Sequence, residues 1–534
     1  MNNNIKKLWD FLYDGHHEEK LSELIEFLNK EKTFFDDVHE DPLWFKKGLI
    51  YSVYVDHFAG NFKNMISKLD YLKGLGVTAI WLLPVLESPM KDQGFDVSDY
   101  YKIRDDLGGN EQFAAFLEEA KKRDIKIIFD VAINHTSNEH EWFISASKDK
   151  NSNYRDYYIW NENEEKYKNT RIIFKGIMKS NWEYNNNTKD YFFHRFYDIQ
   201  PDLNYKCPDV LLEMIKIFVY WRKKGVNGFR LDAVPYLWKE EGTNCENLPK
   251  THNIIKIFRA ALDYLKEGTV LIAEANQIPK DVVEYFGNSD ECHTAYHFPV
   301  MPMIYLAIAE NDGNHILKML SENITPNIPN DCSWFVFLRC HDELTLEFVS
   351  EKDREKMIKY YLKDEKSLFR EGEGIAGRLY DLMDKNVDKV LLAYSVMFSL
   401  PGTPINYYGD EIAMENDEKF YSESIKQTGY ADSRFLNRGP FDEEKMNQAQ
   451  NNDNSDSYKI FNELKKMMDF KNNYENIFIQ NPELKFENGL LISTRKYEDK
   501  KVIIINNLAN EERKFEDIIL KPYKYELKVS MLEN

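Results

Sequence analysis

Between residues 49 and 408 the chain repeats one pattern eight times: a short β-branched or aromatic run, then a polar stretch, and in most intervals an amphipathic segment of helical period. The runs lie at 49–55, 77–83, 125–132, 228–231, 270–273, 293–297, 334–338 and 404–408, with helical patterns at 111–123, 211–224 and 253–265 among the intervals. Alternation of this kind is the signature of βα units around a parallel sheet. Eight units predict an α/β protein built on a closed (β/α)8 TIM barrel.

Departures from the repeat define the remaining organisation. Residues 137–206 are polar, aromatic-rich and irregular, too long for a plain connection, and predict an inserted subdomain after strand 3. Two loop expansions follow, at 343–385 and 410–455. A helix near 458–470 and short alternating runs beyond it predict a small C-terminal antiparallel β domain. The expected divisions are a helical segment over 1–40, barrel over 41–136 and 207–456, the insert between them, and a linking helix with the β domain over 457–534.

Composition narrows the partners. Lys and Arg total 70 against 90 Asp and Glu, a net charge of −20, which opposes any ligand bound by phosphate neutralisation, so nucleic acid is excluded. The five cysteines are scattered with no CxxC pair, which argues against a disulfide framework or zinc cluster and for a reducing compartment. No leader-like apolar segment opens the chain, and the longest apolar stretch, 390–400, is about half the length a bilayer requires. A cytoplasmic protein without membrane contact is expected; oligomeric state is not legible.

In a barrel the chemistry sits where strands end, and four predicted strands end in acids: Asp130, Asp232, Glu274 and Asp342, accompanied by His135, Arg230 and His341. They lie too far apart in the chain to meet except through barrel closure. Several carboxylates with one Arg and two His, lacking Cys ligands or a Gly-rich phosphate loop, suit glycoside chemistry. Arg230 stands two residues before Asp232 on one strand, so both face the same side and the guanidinium favours an ionised Asp232, the nucleophile candidate. Glu274 has no adjacent cation, which favours the protonated form and an acid/base role. A retaining pair is expected to lie about 5 to 5.5 Å apart. Taken alone, a strand-end Asp caps the next helix, and Asp130 is open to that reading.

The ordered segments Asp130-Val-Ala-Ile-Asn134-His135, Gly228-Phe-Arg230-Leu-Asp232-Ala, Ala273-Glu274 and His341-Asp342, with Gln200-Pro-Asp202-Leu-Asn204 in the insert, resemble the alpha-amylase family, glycoside hydrolase family 13, over residues 45–440. The resemblance implies a retaining α-glucoside mechanism with Asp232 as nucleophile, Glu274 as acid and base, and Asp342 as a third carboxylate orienting the sugar. Arg230, His135 and His341 would bind it. Passages such as Glu274-Ala-Asn-Gln and His341-Asp-Glu-Leu-Thr-Leu-Glu are similar to the trehalose synthases of that family, which convert maltose to trehalose without releasing glucose. The first barrel loop, 55–62, and the stretch 432–438 look instead like amylosucrases and sucrose hydrolases. Asp92-Gln93-Gly94-Phe95 stands where the family carries Asp, a variable residue, Gly and Tyr. The resemblance implies that Asp92 recognises a terminal glucose, that Phe95 stacks on it without a hydroxyl, and that Arg434 pairs with Asp92 to close the pocket behind one glucose.

The expected function is therefore a transglucosidase or isomerase interconverting maltose and trehalose through a glucosyl-enzyme. An amylosucrase-like or sucrose/α-glucoside hydrolase is the alternative, and a non-catalytic binding protein of this fold the remote one. The substrate is a small α-glucoside such as maltose, trehalose or sucrose. No cofactor is required by this chemistry; calcium is the ion to consider, with Asn134 placed to join a site between barrel and insert, but an acid-dense loop is missing near 55–62.

Overall fold

The computed structural model describes residues 2–35 and 40–532; residues 36–39 of the N-terminal segment and 533–534 lie outside it. Eight parallel strands close a barrel in sequential order: β1 (Leu49–Val53), β2 (Val77–Leu82), β3 (Lys126–Ala132), β4 (Gly228–Asp232), β5 (Val270–Ala273), β6 (Thr294–Tyr296), β7 (Ser333–Phe337) and β8 (Thr403–Tyr407). All eight predicted runs are strands of this barrel. The sixth is shorter than its apolar run because His297 Nδ1 accepts the Val300 N–H at 3.3 Å, turning the chain into the helix Val300–Glu310.

Two N-terminal helices, α1 (Asn2–Tyr13) and α2 (Glu18–Lys32), bury Trp9 and the stripe Leu21, Leu24 and Leu28. They lie against the barrel helices α5 (Pro208–Lys224) and α6 (Pro249–Leu265), which follow α3 (Phe62–Gly74) and α4 (Gly109–Lys122) in the outer ring. Helix α5 shows why the ring forms. Pro208 opens it where an N–H has no intrahelical partner, Leu211, Met214, Ile215, Phe218 and Trp221 repeat at helical spacing on the buried face, and Gly225 ends it at φ 117°. Helices α7 (Val387–Ser399) and α8 (Asp456–Asn473) flank β8 in the chain.

Between β3 and α5 the insert folds into the helix Glu141–Lys148 and a three-stranded antiparallel sheet of Trp160–Asn161, Asp190–Phe193 and Trp182–Asn185. A single bridge from His135 to Asp202 ties it to the end of β3, and another, Tyr158 to Leu203, closes the insert on itself. The segment after β7 forms a small sheet of Leu344–Thr345, Gly374–Ile375 and Leu368–Phe369, and that after β8 forms the helix Glu418–Thr428 and a 3-10 turn Ser433–Asn437. At the C-terminus β9 (Glu483–Glu487), β10 (Leu490–Tyr497), β11 (Lys500–Asn507) and β12 (Tyr525–Met531) make an antiparallel sheet. It docks on the end of α7, where Ser493 Oγ donates to the Ser399 carbonyl at 2.9 Å. Among the described residues no helix is long and apolar enough to cross a membrane, and all five cysteines are free.

Candidate active site

Strands β3 and β4 align Asp130 with Arg230 and Ala132 with Asp232. Alternate residues point into the barrel, so Asp130, Arg230 and Asp232 meet on its floor. Arg230 Nη1 donates to Asp130 Oδ1 at 2.8 Å and to Asp232 Oδ1 at 2.7 Å, while Nη2 lies 3.6 Å from Glu274 Oε1. The Trp81 indole N–H donates to Asp130 Oδ2 at 3.2 Å. Asp130 is thus no helix cap: its carboxylate orients the guanidinium that serves the other acids. After Asp232 the chain turns through Ala233 at φ 59°, a left-handed conformation that costs a non-glycine residue roughly 1 kcal/mol or more. That turn aims the Ala233 N–H at Glu274 Oε2, 2.8 Å away.

The electrostatics of these acids oppose one another. Burial pushes Asp232 up to about 7, with Arg230 pulling it down, and pushes Glu274 up to about 7, with Arg230 again opposing. Arg230 does not alone keep Asp232 ionised, because it is shared with Asp130, itself pushed by burial up to about 6. It does decide where a single proton rests: a direct hydrogen bond favours the anion at Asp232 over Glu274. Asp342 behaves differently. Burial raises it, but His341, Arg434 and Arg438 outweigh burial and hold the carboxyl well below the usual range. Burial keeps His341 neutral near pH 7, so at that pH the two guanidinium groups, at 2.9 and 3.3 Å from Asp342 Oδ1, supply the pull.

One cavity is lined by Asp232, Glu274 and Asp342 together with Asp92, Phe95, His135, Arg230, His341 and Arg434. Gln93 at φ 50° and Gly94 at φ 95° bend the loop that carries Asp92 and Phe95, and a Cβ on Gly94 would lie 2.8 Å from Pro84. Phe95 stacks on His341, ring centres 5.4 Å apart. Gln200 Nε2 donates to Asp92 Oδ2 at 2.9 Å and lies 3.2 Å from His135 Nε2, so the insert fixes both. The expected pairing of Asp92 with Arg434 does not form. Arg434 directs Nε and Nη2 at Asp432, at 3.0 and 2.6 Å, and Nη1 at Asp342, so the edges of its fork face those two carboxylates and not Asp92. Burial pushes Asp92 up to about 7, with Arg434 acting on it only through space.

Sequence reasoning missed the opposite wall. Arg171 of the insert donates to Glu246 Oε1 at 2.9 Å and pairs with Glu347 from the segment after β7. Arg370 Nη1 and Asn276 Nδ2 reach the other Glu347 oxygen at 3.3 and 3.4 Å. Arg171, Asn276, Glu347 and Arg370 line the same cavity, as do Phe174, Phe298 and Phe369. Arg171 and Arg370 sit in aperiodic stretches where no local pattern marks them; Asn276 and Glu347 fall inside the quoted strand-end passages and were signalled only there.

Asn134, the residue expected at a metal site, has its oxygen already taken. Lys239 Nζ donates to Asn134 Oδ1 at 2.8 Å and pairs with Asp202 Oδ2 at 2.7 Å, all three side chains being buried. An ammonium fills the position between barrel and insert, so the donors present do not fit calcium. Lys239→Met strands a buried carboxylate and is expected to lower unfolding free energy by about 3 to 5 kcal/mol. Denaturant titration showing a loss under roughly 1 kcal/mol would remove this role from Lys239.

Strand-end carboxylates gathered on one guanidinium at the C-terminal mouth of the barrel, with an aromatic platform beside them, define a glycoside-active (β/α)8 barrel. Comparison with known proteins makes this specific. The alpha-amylase family, as "Alpha amylase, catalytic domain", matches residues 32–491, and the chain belongs to that family. It is 44% identical over 385 residues to the trehalose synthase/amylase TreS of Mycobacterium tuberculosis (strain CDC 1551 / Oshkosh), covering 70% of this chain and 63% of that protein. It is 38% identical over 512 residues to a trehalose synthase of Thermus thermophilus, covering 91% of this chain and 52% of that one. The chain thus spans between half and two thirds of these relatives. Among solved structures it is similar to an alpha-amylase from H. orenii at 27% identity and a TM-score of 0.67, covering 88% of this chain and 91% of that one.

Proposed function

We propose that the protein interconverts maltose and trehalose in the cytoplasm by retaining transglucosylation. Asp232 attacks the anomeric carbon of the non-reducing glucose while Glu274 gives its proton to the departing O4. The C–O bond to the second glucose breaks as the bond to Asp232 forms. The released glucose turns within the cavity; its anomeric hydroxyl attacks the glucosyl-Asp232 bond, and Glu274 takes back the proton. Asp342, held anionic by two arginines, accepts hydroxyl hydrogens of the bound sugar, and Phe95 provides its stacking face.

The observation that carries transfer over hydrolysis is the ion pair of Arg171 with Glu347, which joins the insert to the segment after β7 across the acceptor wall. A wall closed this way retains the leaving glucose and limits water at the covalent intermediate. The likeness to proteins named trehalose synthases supports the choice of substrate. The Lys239 ammonium supports chemistry without calcium.

The test is incubation of purified protein with maltose, trehalose, sucrose and soluble starch separately, the sugars being resolved by chromatography. Maltose and trehalose should approach the same mixture from either side with a little free glucose, and starch should remain nearly intact. Sucrose consumed in preference to maltose, or rapid internal cleavage of starch, would overturn the reading.

A further inference from the structure

Beneath the carboxylates lies a polar group that the mechanism above does not use. Strand β6 pairs Ala295 with Ala273 of β5, and one further step in that register sets Tyr296 beside Glu274, both pointing inward. The Tyr296 ring packs at the barrel floor, 5.3 Å from Trp81, 6.0 Å from Phe335 and 5.9 Å from Phe337, centre to centre. Its side chain is 3% exposed. Among the described residues the hydroxyl has no hydrogen-bond partner, and Arg230 Nε, on β4 two strands away and also buried, has none either.

A buried hydroxyl and a buried guanidinium N–H left without partners are each costly, and one ordered water reaching both would satisfy them together. Such a water would accept from Arg230 Nε–H and from the Tyr296 hydroxyl, leaving its two hydrogens for carboxylate oxygens. The charged groups that act on the Tyr296 hydroxyl are Asp130 from β3, Arg230 from β4 and Glu274 at the end of β5, and Asp232 and Asp342 act in turn on Glu274. Asp130 has both oxygens occupied, Oδ1 by Arg230 Nη1 and Oδ2 by the Trp81 indole N–H. Of the two acids that act on Tyr296, Glu274 is the one with an oxygen short of a donor, since its Oε1 has only Arg230 Nη2 at 3.6 Å, too long for a hydrogen bond.

We propose that Tyr296 is a positioning residue for Glu274: through a buried water shared with Arg230, its hydroxyl steadies the Glu274 carboxylate once the proton has passed to the leaving oxygen. The inference rests on the acid/base role given to Glu274 above. Tyr296 keeps its own proton throughout and does not touch the sugar. The consequence is that proton release from Glu274 becomes easier and its anion is ready to accept the proton back.

Tyr296→Phe removes one oxygen and keeps the ring packing, so folding should survive; coincident thermal unfolding of the two proteins checks this. Infrared titration of isotope-labelled glutamate carboxyls, with Glu274→Gln as the subtraction control, reads the Glu274 proton without any substrate. In Tyr296→Phe that titration should move to higher pH by about half to one unit, because the anion has lost a relayed donor. The basic limb of kcat/KM on maltose should move the same way, and kcat should fall roughly tenfold with KM unchanged. A Glu274 titration identical in the two proteins overturns the proposal whatever the substrate proves to be. A shifted titration in a protein without action on maltose would uphold it and fail the substrate reading alone.

Discussion

Asp232→Asn will lower the turnover of maltose by about four orders of magnitude or more, since an amide oxygen cannot form the glucosyl ester on which both half-reactions depend. The change is nearly isosteric, and Arg230 retains its 2.8 Å bond to Asp130, so the floor stays ordered. Stability moves the other way. Burial raises the folded-state pKa of Asp232 to about 7, above its ordinary value near 3.8, so between those pH values the folded protein binds more protons than the unfolded chain. Stability is therefore lost as pH rises through that window, and an uncharged Asn escapes the loss. The variant should melt at a higher temperature than the wild type at pH 7 while the two converge near pH 4. Retention of more than about a tenth of wild-type turnover, or a lower melting temperature at pH 7, would remove Asp232 from the role of buried nucleophile.

How much of this was legible depends on the range of the interaction that decides each feature. The barrel strands announce themselves because each is an apolar run whose neighbours are fixed by chain order, and the strand-end acids follow from where those runs stop. The Ala233 turn carries no such mark, since a left-handed alanine is chosen by the surroundings it must reach, here Glu274, and not by its own propensity. The insert sheet was hidden for a related reason: its strands, such as Trp182–Asn185, are four residues or fewer and are stabilised by ring contacts like that of Trp182 with Tyr167. Arg434 shows the limit for side chains. Asp92 and Asp342 both lie near enough to act on it through space, and Asp432 sits two residues before it. Which of several buried carboxylates receives a planar fork is a matter of angle, and no spacing in the chain encodes that angle. The Arg171 and Glu347 pair is further still from local pattern, joining two loops that meet only because the barrel closes.

Glu274→Gln should separate proton donation from nucleophilic attack. Maltose requires its leaving O4 to be protonated, so its turnover should fall by about two to four orders of magnitude, the usual contribution of a positioned acid. α-Glucosyl fluoride needs no proton to lose fluoride, and its first step should stay within about tenfold of wild type because Asp232 and its 2.7 Å bond to Arg230 are untouched. The second step still lacks its base, so the glucosyl-Asp232 ester should accumulate and be visible by mass spectrometry of the intact protein. Azide needs no base and should release it as glucosyl azide of α configuration, the outcome of two inversions. The pH profile gives an independent reading. In the wild type, kcat/KM on maltose should fall as pH rises through about 7, where Glu274 loses its proton, and fall again at lower pH as Asp232 gains one. In Glu274→Gln with the fluoride substrate the high-pH decline should vanish, because the group that titrates there is gone. A β-configured azide product would make Glu274 the nucleophile and reverse the assignment, and an unchanged high-pH decline would place the acid on another residue.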